Sequence, residues 1–203
     1  MKAKNTIVVY GGSFNPPLNS HFSIAEQVIN QYEEVEKVIF IPVNKKYEKD
    51  GLEENNHRYN MLKLVIDKNN NFLLSDIDMN ENRSLYTIET LEEIQRKYKN
   101  KQIWFLIGSD NLKEIHTWKK AEDLLSKYKI IVMERNNDNI EEIIKQNKLL
   151  NNYKENIKKL NNEIRSNFNS TYVRNQIKKQ KSVKYLLPDD VYEYIQKNNL
   201  YRG

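Results

Sequence analysis

A loop rich in glycine and proline joins the first apolar stretch of this chain to its first helical pattern. Residues 6–21 read TIVVYGGSFNPPLNSH. Thr6 to Tyr10 are β-branched and aromatic residues, typical of a short buried strand that Gly11 and Gly12 then end. Helical spacing of apolar residues begins at His21, which we therefore expect in the first turn of a helix.

A phosphate group is a ligand that suits such a loop. The start of a helix presents free N–H groups and the positive end of the helix dipole, and glycine lets an anion approach the backbone closely. We expect the backbone N–H groups of Ser13 and Phe14 to bind phosphate and His21 to donate a hydrogen bond to it. The loop is neither a dinucleotide fingerprint nor a Walker A motif. An ordinary strand-to-helix turn is the alternative.

A second group of anion-binding residue types lies near the C-terminus, at Ser170, Thr171 and Arg174. Ser170 or Thr171 is expected to cap a helix that runs to Lys179, with Arg174 in its first turn. Hydroxyl groups and a guanidinium at a helix start make a second anion site. Taken alone, this pattern is common by chance.

The composition narrows the class of protein. A chain of 203 residues that is 38% hydrophobic suits one domain. It has no apolar run near about eighteen residues and no stretch typical of a signal peptide, so we expect no membrane span. Cysteine is absent, which excludes disulfides and cysteine-bound zinc. A cytoplasmic protein is the default expectation.

The net charge of +5 is unevenly distributed. Residues 141–203 hold thirteen Lys and Arg against seven Asp and Glu. A solvated, lysine-rich surface is the plainest explanation, and a basic segment also suits an enzyme that folds it over a triphosphate. No aromatic and basic stripe typical of nucleic-acid binding is present, so we expect no nucleic-acid partner.

Short strands alternate with helices along the first two thirds of the chain. This order predicts an α/β fold, a Rossmann-like doubly wound parallel sheet with a small helical C-terminal segment. Strands are predicted at 6–10, 37–42, 72–75, 102–107 and 129–133, and helices at 57–68, 87–98 and 118–128, after the helix that starts at His21. We expect one domain over 1–203, with a core at 1–135 and a helical part at 136–203.

Two regions are harder to interpret. Residues 136–170 indicate one helix or two, with low-complexity disorder as the competing interpretation, and 160–169 give little sign of a sixth strand.

The helix at 87–98 is expected to be capped by Ser84 or by Tyr86 and Thr87. Because ligands of such sheets bind beyond the carboxyl ends of the strands, the residues around Gly12, Asn44 and Gly108 should converge.

The sequence resembles one family over essentially its whole length. GGSFNPPLNSH is similar to G-G-[ST]-F-[DN]-P-P-H-x-G-H, the signature of nicotinate/nicotinamide mononucleotide adenylyltransferases, which belong to the nucleotidyltransferases with a (His/Thr)-x-Gly-His motif. NSTYVRNQIKKQKSVKYLLPDDVYEYIQKNNLY resembles their closing segment, which contains I-S-S-T-x-[IV]-R and ends in N-L-Y. HRYNMLKL, LYTIETL and IWFLIGSDNLKEIHTWK resemble internal motifs of the family.

The resemblance implies a reaction and a set of site residues. The reaction would transfer AMP from ATP, with Mg²⁺, to nicotinate mononucleotide, giving nicotinate adenine dinucleotide and pyrophosphate without a protein nucleophile or a dedicated metal site. His21 would be the catalytic residue. The ATP site would comprise Gly12, Ser13, Phe14, His21, Gly108, Asp110, Ser170, Thr171 and Arg174. The mononucleotide site would comprise Asn44, Lys45 or Lys46, Tyr86, Thr87 and Trp118, with Trp118 stacking on the pyridine ring.

The chain departs from the family signature at two positions of the loop. Leu18 stands where the family has its first histidine and cannot donate a side-chain hydrogen bond, and Ser20 replaces a glycine. Val43-Asn44-Lys45-Lys46 also replaces the Pro-Pro-His-Lys cluster of many bacterial members. Two alternatives stay open, a sister adenylyl- or cytidylyltransferase and a degenerate nucleotide-binding protein without turnover. The acid or amide preference and a homo-oligomeric state are also left open.

Overall fold

The computed structural model describes residues 4–45, 51–79, 85–135, 137–161 and 169–202. Strands and helices alternate in it as the sequence predicts. The strands are Thr6–Gly12 (β1), Val35–Pro42 (β2), Phe72–Leu74 (β3), Gln102–Gly108 (β4), Lys129–Met133 (β5) and Ile157–Leu160 (β6). The helices are Asn19–Gln31 (α1), Asn55–Ile66 (α2), Thr87–Lys97 (α3), Ser109–Glu114 (α4), Ala121–Lys127 (α5), Ile140–Gln146 (α6), Lys148–Asn152 (α7), Ser170–Lys178 (α8) and Asp189–Lys197 (α9).

The six strands form one parallel sheet in the order β3-β2-β1-β4-β5-β6, flanked by helices. β4 pairs with β1 on one side and with β5 on the other, with Val9 opposite Phe105 and Phe105 opposite Ile130. These central strands are buried over nearly their whole length, as expected for a parallel sheet covered on both faces. The predicted α/β fold is confirmed.

Contacts along the backbone divide the chain into two compact units. The first unit comprises Met1–Tyr10, Gln27–Val38 and Leu85–Arg165, and the second comprises Gly11–Glu26, Ile39–Ser84 and Ser166–Gly203. The second unit therefore joins the loop after β1 to the C-terminal helices. The single domain expected from the sequence, with its division at residue 135, stays a prediction.

Two predicted boundaries near the N-terminus were wrong. β1 does not end at Tyr10 but continues through both glycines to Gly12. The carbonyl oxygen of Gly12 accepts a hydrogen bond from the backbone N–H of Val43 at 3.0 Å, so backbone pairing extends the strand where side chains no longer do. α1 begins at Asn19 rather than at His21, and His21 still lies in its first turn.

The segment after β5 contains more regular structure than its composition indicates. Residues 137–161 include two helices, α6 and α7, each capped by an asparagine, Asn139 and Asn147 respectively. The sixth strand, which the sequence barely signals, is β6, and it pairs in parallel with β5. β6 lies at the edge of the sheet and carries Lys158 and Lys159, so it lacks the apolar pattern of a central strand. Much of the 160–169 segment lies outside the described residues.

Among the described residues, no helix combines the length and apolar character needed to cross a membrane.

Candidate active site

Residues 11–18, which comprise the last two residues of β1 and the loop after them, are called the proline loop below. Three of its carbonyl oxygens accept hydrogen bonds from side chains of distant residues. Arg58 Nη1 donates to Ser13 O at 2.8 Å, Arg174 Nη1 donates to Asn15 O at 2.8 Å, and Ser170 Oγ donates to Pro16 O at 2.9 Å. A loop without a β ladder or helical bonds has to satisfy its buried polar groups in this way.

The side chain of Asn15 is buried beneath the loop and uses both ends of its amide. Its Nδ2 donates to Gly51 O at 2.8 Å, and its Oδ1 accepts from Glu53 N at 3.1 Å and from the Tyr201 hydroxyl at 2.9 Å. Burial raises the pKa of Tyr201 above its ordinary value, so the hydroxyl keeps its proton and acts as the donor. Asn15 thereby ties the proline loop to the C-terminal residues of the chain.

Phe14 has a left-handed backbone conformation, with φ of 45°, which is uncommon outside glycine. Its ring packs against Phe40 at 5.6 Å and edge-on against His21 at 5.1 Å between ring centroids. The ring also covers Gly12, where an added Cβ would lie 3.0 Å from Phe14 Cζ. Glycine at position 12 therefore allows this packing of the phenylalanine ring.

His21 is oriented by the backbone of the same loop. Its Nδ1 accepts a hydrogen bond from the N–H of Leu18 at 2.8 Å, while its own backbone N–H donates to Leu18 O at 3.0 Å. A neutral imidazole whose Nδ1 accepts a hydrogen bond carries its proton on Nε2. The side chain is half-buried in the first turn of α1, so this arrangement prepares Nε2–H as a donor.

The side chain of Leu18 is buried in an apolar cluster and is only 1% exposed. Its neighbours in this cluster come mainly from α8, α9 and the residues around them. They are Met61, Val173, Ile177, Val183, Leu187, Val191, Ile195, Leu200 and Tyr201. At this position, the backbone N–H orients His21 while the side chain contributes to the core.

The tip of α8 is built differently from the expectation. The cap is Asn169, whose side chain accepts from Tyr172 N at 2.8 Å, so the predicted cap by Ser170 or Thr171 was wrong. An asparagine one position earlier fills that role, which releases the Ser170 hydroxyl to bind Pro16 O. Thr171 Oγ1 accepts from Arg174 Nη2 at 3.1 Å and helps to orient the guanidinium.

The connection between β2 and α2 carries the two residues expected at the mononucleotide phosphate. Asn44 is buried, with Asn55 Nδ2 donating to its Oδ1 at 3.4 Å. Lys45 is exposed, and its ammonium group pairs with Glu54, which lowers the pKa of that carboxyl group. Lys46, the alternative to Lys45, lies outside the described residues.

Two residues of the internal motif HRYNMLKL make contacts that the sequence did not indicate. The Nδ1 of His57 lies 3.0 Å from the Tyr194 hydroxyl on α9. Arg58, which we assigned no role, is fully buried and reaches the proline loop. A buried arginine has no sequence signal that separates it from a surface arginine, although its place in the HRYNMLKL motif singles out the segment.

In the first unit, Gly108 ends β4, and Ser109 and Asp110 begin α4. Arg135 Nη1 forms an ion pair with Asp110 Oδ2 at 3.3 Å, and the backbone N–H of Arg135 donates to Ser109 Oγ at 2.9 Å. An added Cβ at position 108 would lie 2.2 Å from Asp110 Oδ1, so only glycine leaves room for this carboxylate. Arg135 is a second residue that the sequence analysis missed.

The expected pyridine-binding residues also lie in the first unit. Tyr86 caps α3, and its backbone N–H donates to Glu89 Oε2 at 2.9 Å; Ser84, the other predicted cap, lies outside the described residues. The Lys119 ammonium group lies 3.9 Å from the centroid of the Tyr86 ring. Trp118 is half-buried and packs edge-on against Phe105 at 6.4 Å, while Thr87 begins the helix.

In the part of the chain that the structure describes, no group of three His, Cys, Asp or Glu side chains is arranged to hold a metal ion. Asp110, a predicted site residue of the first unit, is paired with Arg135.

Comparisons with known proteins show the family to which the chain belongs. A family model described as cytidylyltransferase-like matches residues 9–176. A protein of Clostridium tetani named probable nicotinate-nucleotide adenylyltransferase is 32% identical over 197 residues, which cover 96% of this chain and 98% of that protein. A protein of the same name from Caldicellulosiruptor bescii is 35% identical over 199 residues, covering 97% and 98% of the two chains.

The chain belongs to the nicotinate-nucleotide adenylyltransferase family. The resemblance stated from its motifs is therefore confirmed. Two solved structures of Plasmodium falciparum nicotinic acid mononucleotide adenylyltransferase, complexed with NaAD and with APC, share the fold. Their TM-scores are 0.80 and 0.78 at 23% and 22% identity, and each match covers 97% of both chains.

Within this family's fold, the second unit brings two of the predicted groups of residues together. The proline loop and the tip of α8 meet through Arg174 and Asn15, which are 159 positions apart in the sequence. Ser13, Phe14 and His21 belong to the same hydrogen-bonded region as Ser170, Thr171 and Arg174. Gly108, Asp110, Tyr86, Thr87 and Trp118 are placed in the first unit.

Replacing Leu18 with histidine, the residue of the family signature, is expected to destabilise the protein rather than to restore a phosphate contact. The imidazole would enter an apolar cluster without a polar partner, so we expect the free energy of unfolding to fall by about 3 kcal/mol. Leu18→Met keeps an apolar side chain of similar volume and should cost less than about 1.5 kcal/mol. Urea denaturation measures both. A Leu18→His protein as stable as the parent would contradict the burial argument.

The hydrogen bond from Tyr201 to Asn15 is tested by Tyr201→Phe. The ring stays packed but the buried Oδ1 loses one donor, so we expect a loss of about 1–2 kcal/mol in the free energy of unfolding at pH 7. Since the folded-state pKa of Tyr201 is raised, its contribution should also fade above about pH 10, where an unfolded tyrosine ionises.

The matched control is Tyr185→Phe, because Tyr185 is 90% exposed. It should change the free energy of unfolding by less than about 0.5 kcal/mol. Equal effects of the two substitutions in urea denaturation would show that the Tyr201 hydroxyl contributes nothing.

Proposed function

We propose that this chain transfers AMP from ATP to nicotinate mononucleotide, releasing nicotinate adenine dinucleotide and pyrophosphate. The observation that carries the proposal is the joining of the proline loop and the α8 tip by Arg174, which unites two anion-binding motifs from opposite ends of the chain. The names of the curated relatives, at 32% and 35% identity over almost the full length, support the same reaction.

The chemistry requires positioning rather than a protein nucleophile. An oxygen of the mononucleotide phosphate attacks the α-phosphorus of ATP, a new P–O bond forms, and the bond from the α-phosphorus to the bridging oxygen of the β-phosphate breaks. Pyrophosphate leaves with the electron pair. Negative charge accumulates on the α-phosphate oxygens in the transition state, so the protein has to supply hydrogen-bond donors and positive charge there.

His21 is proposed as the catalytic donor. Its Nδ1 is held by the Leu18 N–H, and its Nε2–H is assigned to an α-phosphate oxygen. A backbone amide fixes the tautomer and the ring orientation, which explains how the chain would use His21 with leucine at position 18. This geometry favours an active enzyme over the degenerate nucleotide-binding protein.

The remaining ATP contacts are assigned on the same basis. The backbone N–H groups around Gly12, Ser13 and Phe14 would bind the phosphates. Arg174, oriented by Asn15 O and Thr171 Oγ1, would present its remaining N–H groups to the triphosphate, and Ser170 would hold the loop. In this assignment Ser170 contributes to the ATP site by donating a hydrogen bond to Pro16 O, which holds the loop in position.

The roles of the other residues are those that the family implies. Gly108 and Asp110 are assigned to the nucleotide side of the substrate, with Arg135 orienting the Asp110 carboxylate. Trp118 is assigned to the face of the pyridine ring, and Tyr86 and Thr87 to its carboxylate. Asn44 and Lys45 are assigned to the mononucleotide phosphate. To bind this phosphate, Lys45 would have to break its ion pair with Glu54.

Mg²⁺ is proposed to accompany ATP as its magnesium complex. The described residues offer no trio of metal-ligating side chains, so oxygens of the triphosphate and water would be its main ligands. When bound, the ion supplies positive charge to the phosphates. A cytoplasmic location, where ATP is abundant, belongs to the same proposal.

One assay tests the proposed reaction. Purified protein is incubated with ATP, Mg²⁺ and either nicotinate or nicotinamide mononucleotide, and pyrophosphate and dinucleotide are measured. We expect dinucleotide with the acid and a kcat/KM at least about tenfold lower with the amide, since the relatives are named for the nicotinate nucleotide. Phosphopantetheine with ATP and CTP with a phosphorylated alcohol test the sister enzymes. Binding of ATP without any product would favour the nucleotide-binding protein.

His21→Ala is expected to lower kcat at least about 100-fold, equivalent to about 3 kcal/mol, because one donor to the transition state is lost. The free energy of unfolding should change much less than that. His116→Ala is the matched control, since His116 is exposed on a short helical turn and has no assigned role. Activity of His21→Ala within about threefold of the parent would remove His21 from the mechanism.

A further inference from the structure

Arg58 is a fully buried arginine whose guanidinium contacts two separate loops of the second unit. Nη1 donates to Ser13 O in the proline loop at 2.8 Å. Nη2 donates to Val43 O and to Asn55 Oδ1, each at 2.6 Å, and Nε donates to Glu53 O at 3.0 Å. Two of these acceptors, Val43 O and Glu53 O, belong to the connection between β2 and α2, and Asn55 is the first residue of α2.

The choice of a guanidinium at this place needs a physical reason, because burying a charge is costly. Among the described residues no carboxylate lies within ion-pair distance of it, and every recorded acceptor is a neutral oxygen. A neutral amide side chain has too few N–H groups to reach four oxygens, and a lysine ammonium lacks the planar fork. Only arginine can hold these four oxygens at once.

Other bonds join the same two loops. The N–H of Val43 donates to Gly12 O at 3.0 Å, and Asn15 exchanges hydrogen bonds with Gly51 O and Glu53 N. The proline loop and the described residues of the β2–α2 connection, 43–45 and 51–54, are therefore linked at several points, and Arg58 reaches both from α2.

We propose that Arg58 is a positioning residue that couples the proline loop to the β2–α2 connection. The coupling itself concerns the free protein. Its consequence for turnover rests on the proposed function, in which the first loop binds ATP and the second binds the mononucleotide phosphate. Loss of Arg58 would then displace the acceptor oxygen from the α-phosphorus, which lowers kcat more than it raises either KM.

The competing explanation is that Arg58 only stabilises the fold. The two explanations predict different effects of a substitution at Arg58 on the mobility of the two loops. Arg58→Lys keeps a positive charge but loses the fork. We expect backbone amide hydrogen exchange to accelerate at least about fivefold in both loops, 12–15 and 43–45, with β5 and α9 unchanged. This measurement needs no substrate, so it stands even if the proposed reaction fails.

In the assay with ATP and nicotinate mononucleotide, Arg58→Lys should lower kcat at least about tenfold, with each KM changed less than about threefold. Arg96→Lys is the matched control, because Arg96 is largely exposed and, among the described residues, forms its ion pair with Glu93, three positions earlier on α3. A folded Arg58→Lys protein with unchanged kcat and unchanged exchange in both loops would overturn the proposal. Faster exchange throughout the protein, with unchanged kcat, would also overturn it and would favour the purely stabilising role.

Asn55→Ala keeps the proposal testable if Arg58→Lys does not fold. This change removes one acceptor of Arg58 at the first residue of α2, which also binds Lys45 N and Asn44 Oδ1 of the β2–α2 connection, and the described contacts of Asn55 include none to the proline loop. Faster exchange at residues 13–15 with unchanged exchange at residues 51–53, which contact Asn15, would therefore report coupling through Arg58. Exchange confined to residues 43–45 and 51–55 would contradict it.

Discussion

The carbonyl oxygens of the proline loop impose the main constraint on the second unit. Proline and an irregular backbone prevent the loop from satisfying its own polar groups, and most of its residues are buried away from water. Donors must therefore come from elsewhere, and Arg58, Ser170 and Arg174 supply them. The loop takes its conformation only when α2 and α8 are in place.

This dependence explains why the C-terminal residues belong to the same unit as the loop. Leu18 packs among the apolar residues of α8 and α9, and Tyr201 reaches the buried Asn15 amide two residues before the end of the chain. The apolar cluster supplies the stabilisation, and the hydrogen bonds define the position of the loop. A change in α9 can therefore affect His21 without touching it, through Leu18, whose N–H orients the imidazole.

Much of the fold could be predicted because many of its strands and helices have a clear local pattern in the sequence. The central strands are unbroken apolar runs, and α3 and α5 have clear helical spacing, so their bounds were predicted within a few residues. β6 was missed because an edge strand with two lysines has no such pattern. The cap of α8 was misplaced by one position because asparagine and serine are almost equivalent as caps. Arg58 and Arg135 were missed because burial and pairing depend on residues far away in sequence.

The same reasoning accounts for the charge available to a triphosphate. Most recorded lysine and arginine contacts outside the loop are ion pairs, such as Arg135 with Asp110 or Lys113 with Asp138. Arg58 and Arg174 instead bind neutral oxygens, and among the described residues neither guanidinium lies within ion-pair distance of a carboxylate. Neither guanidinium is therefore neutralised by a direct ion pair, although the carboxylates of Glu53 and Glu54 act on Arg58 from a greater distance. The contacts that satisfy the loop thus also make it attractive to an anion, so one set of hydrogen bonds serves both the fold and the proposed chemistry.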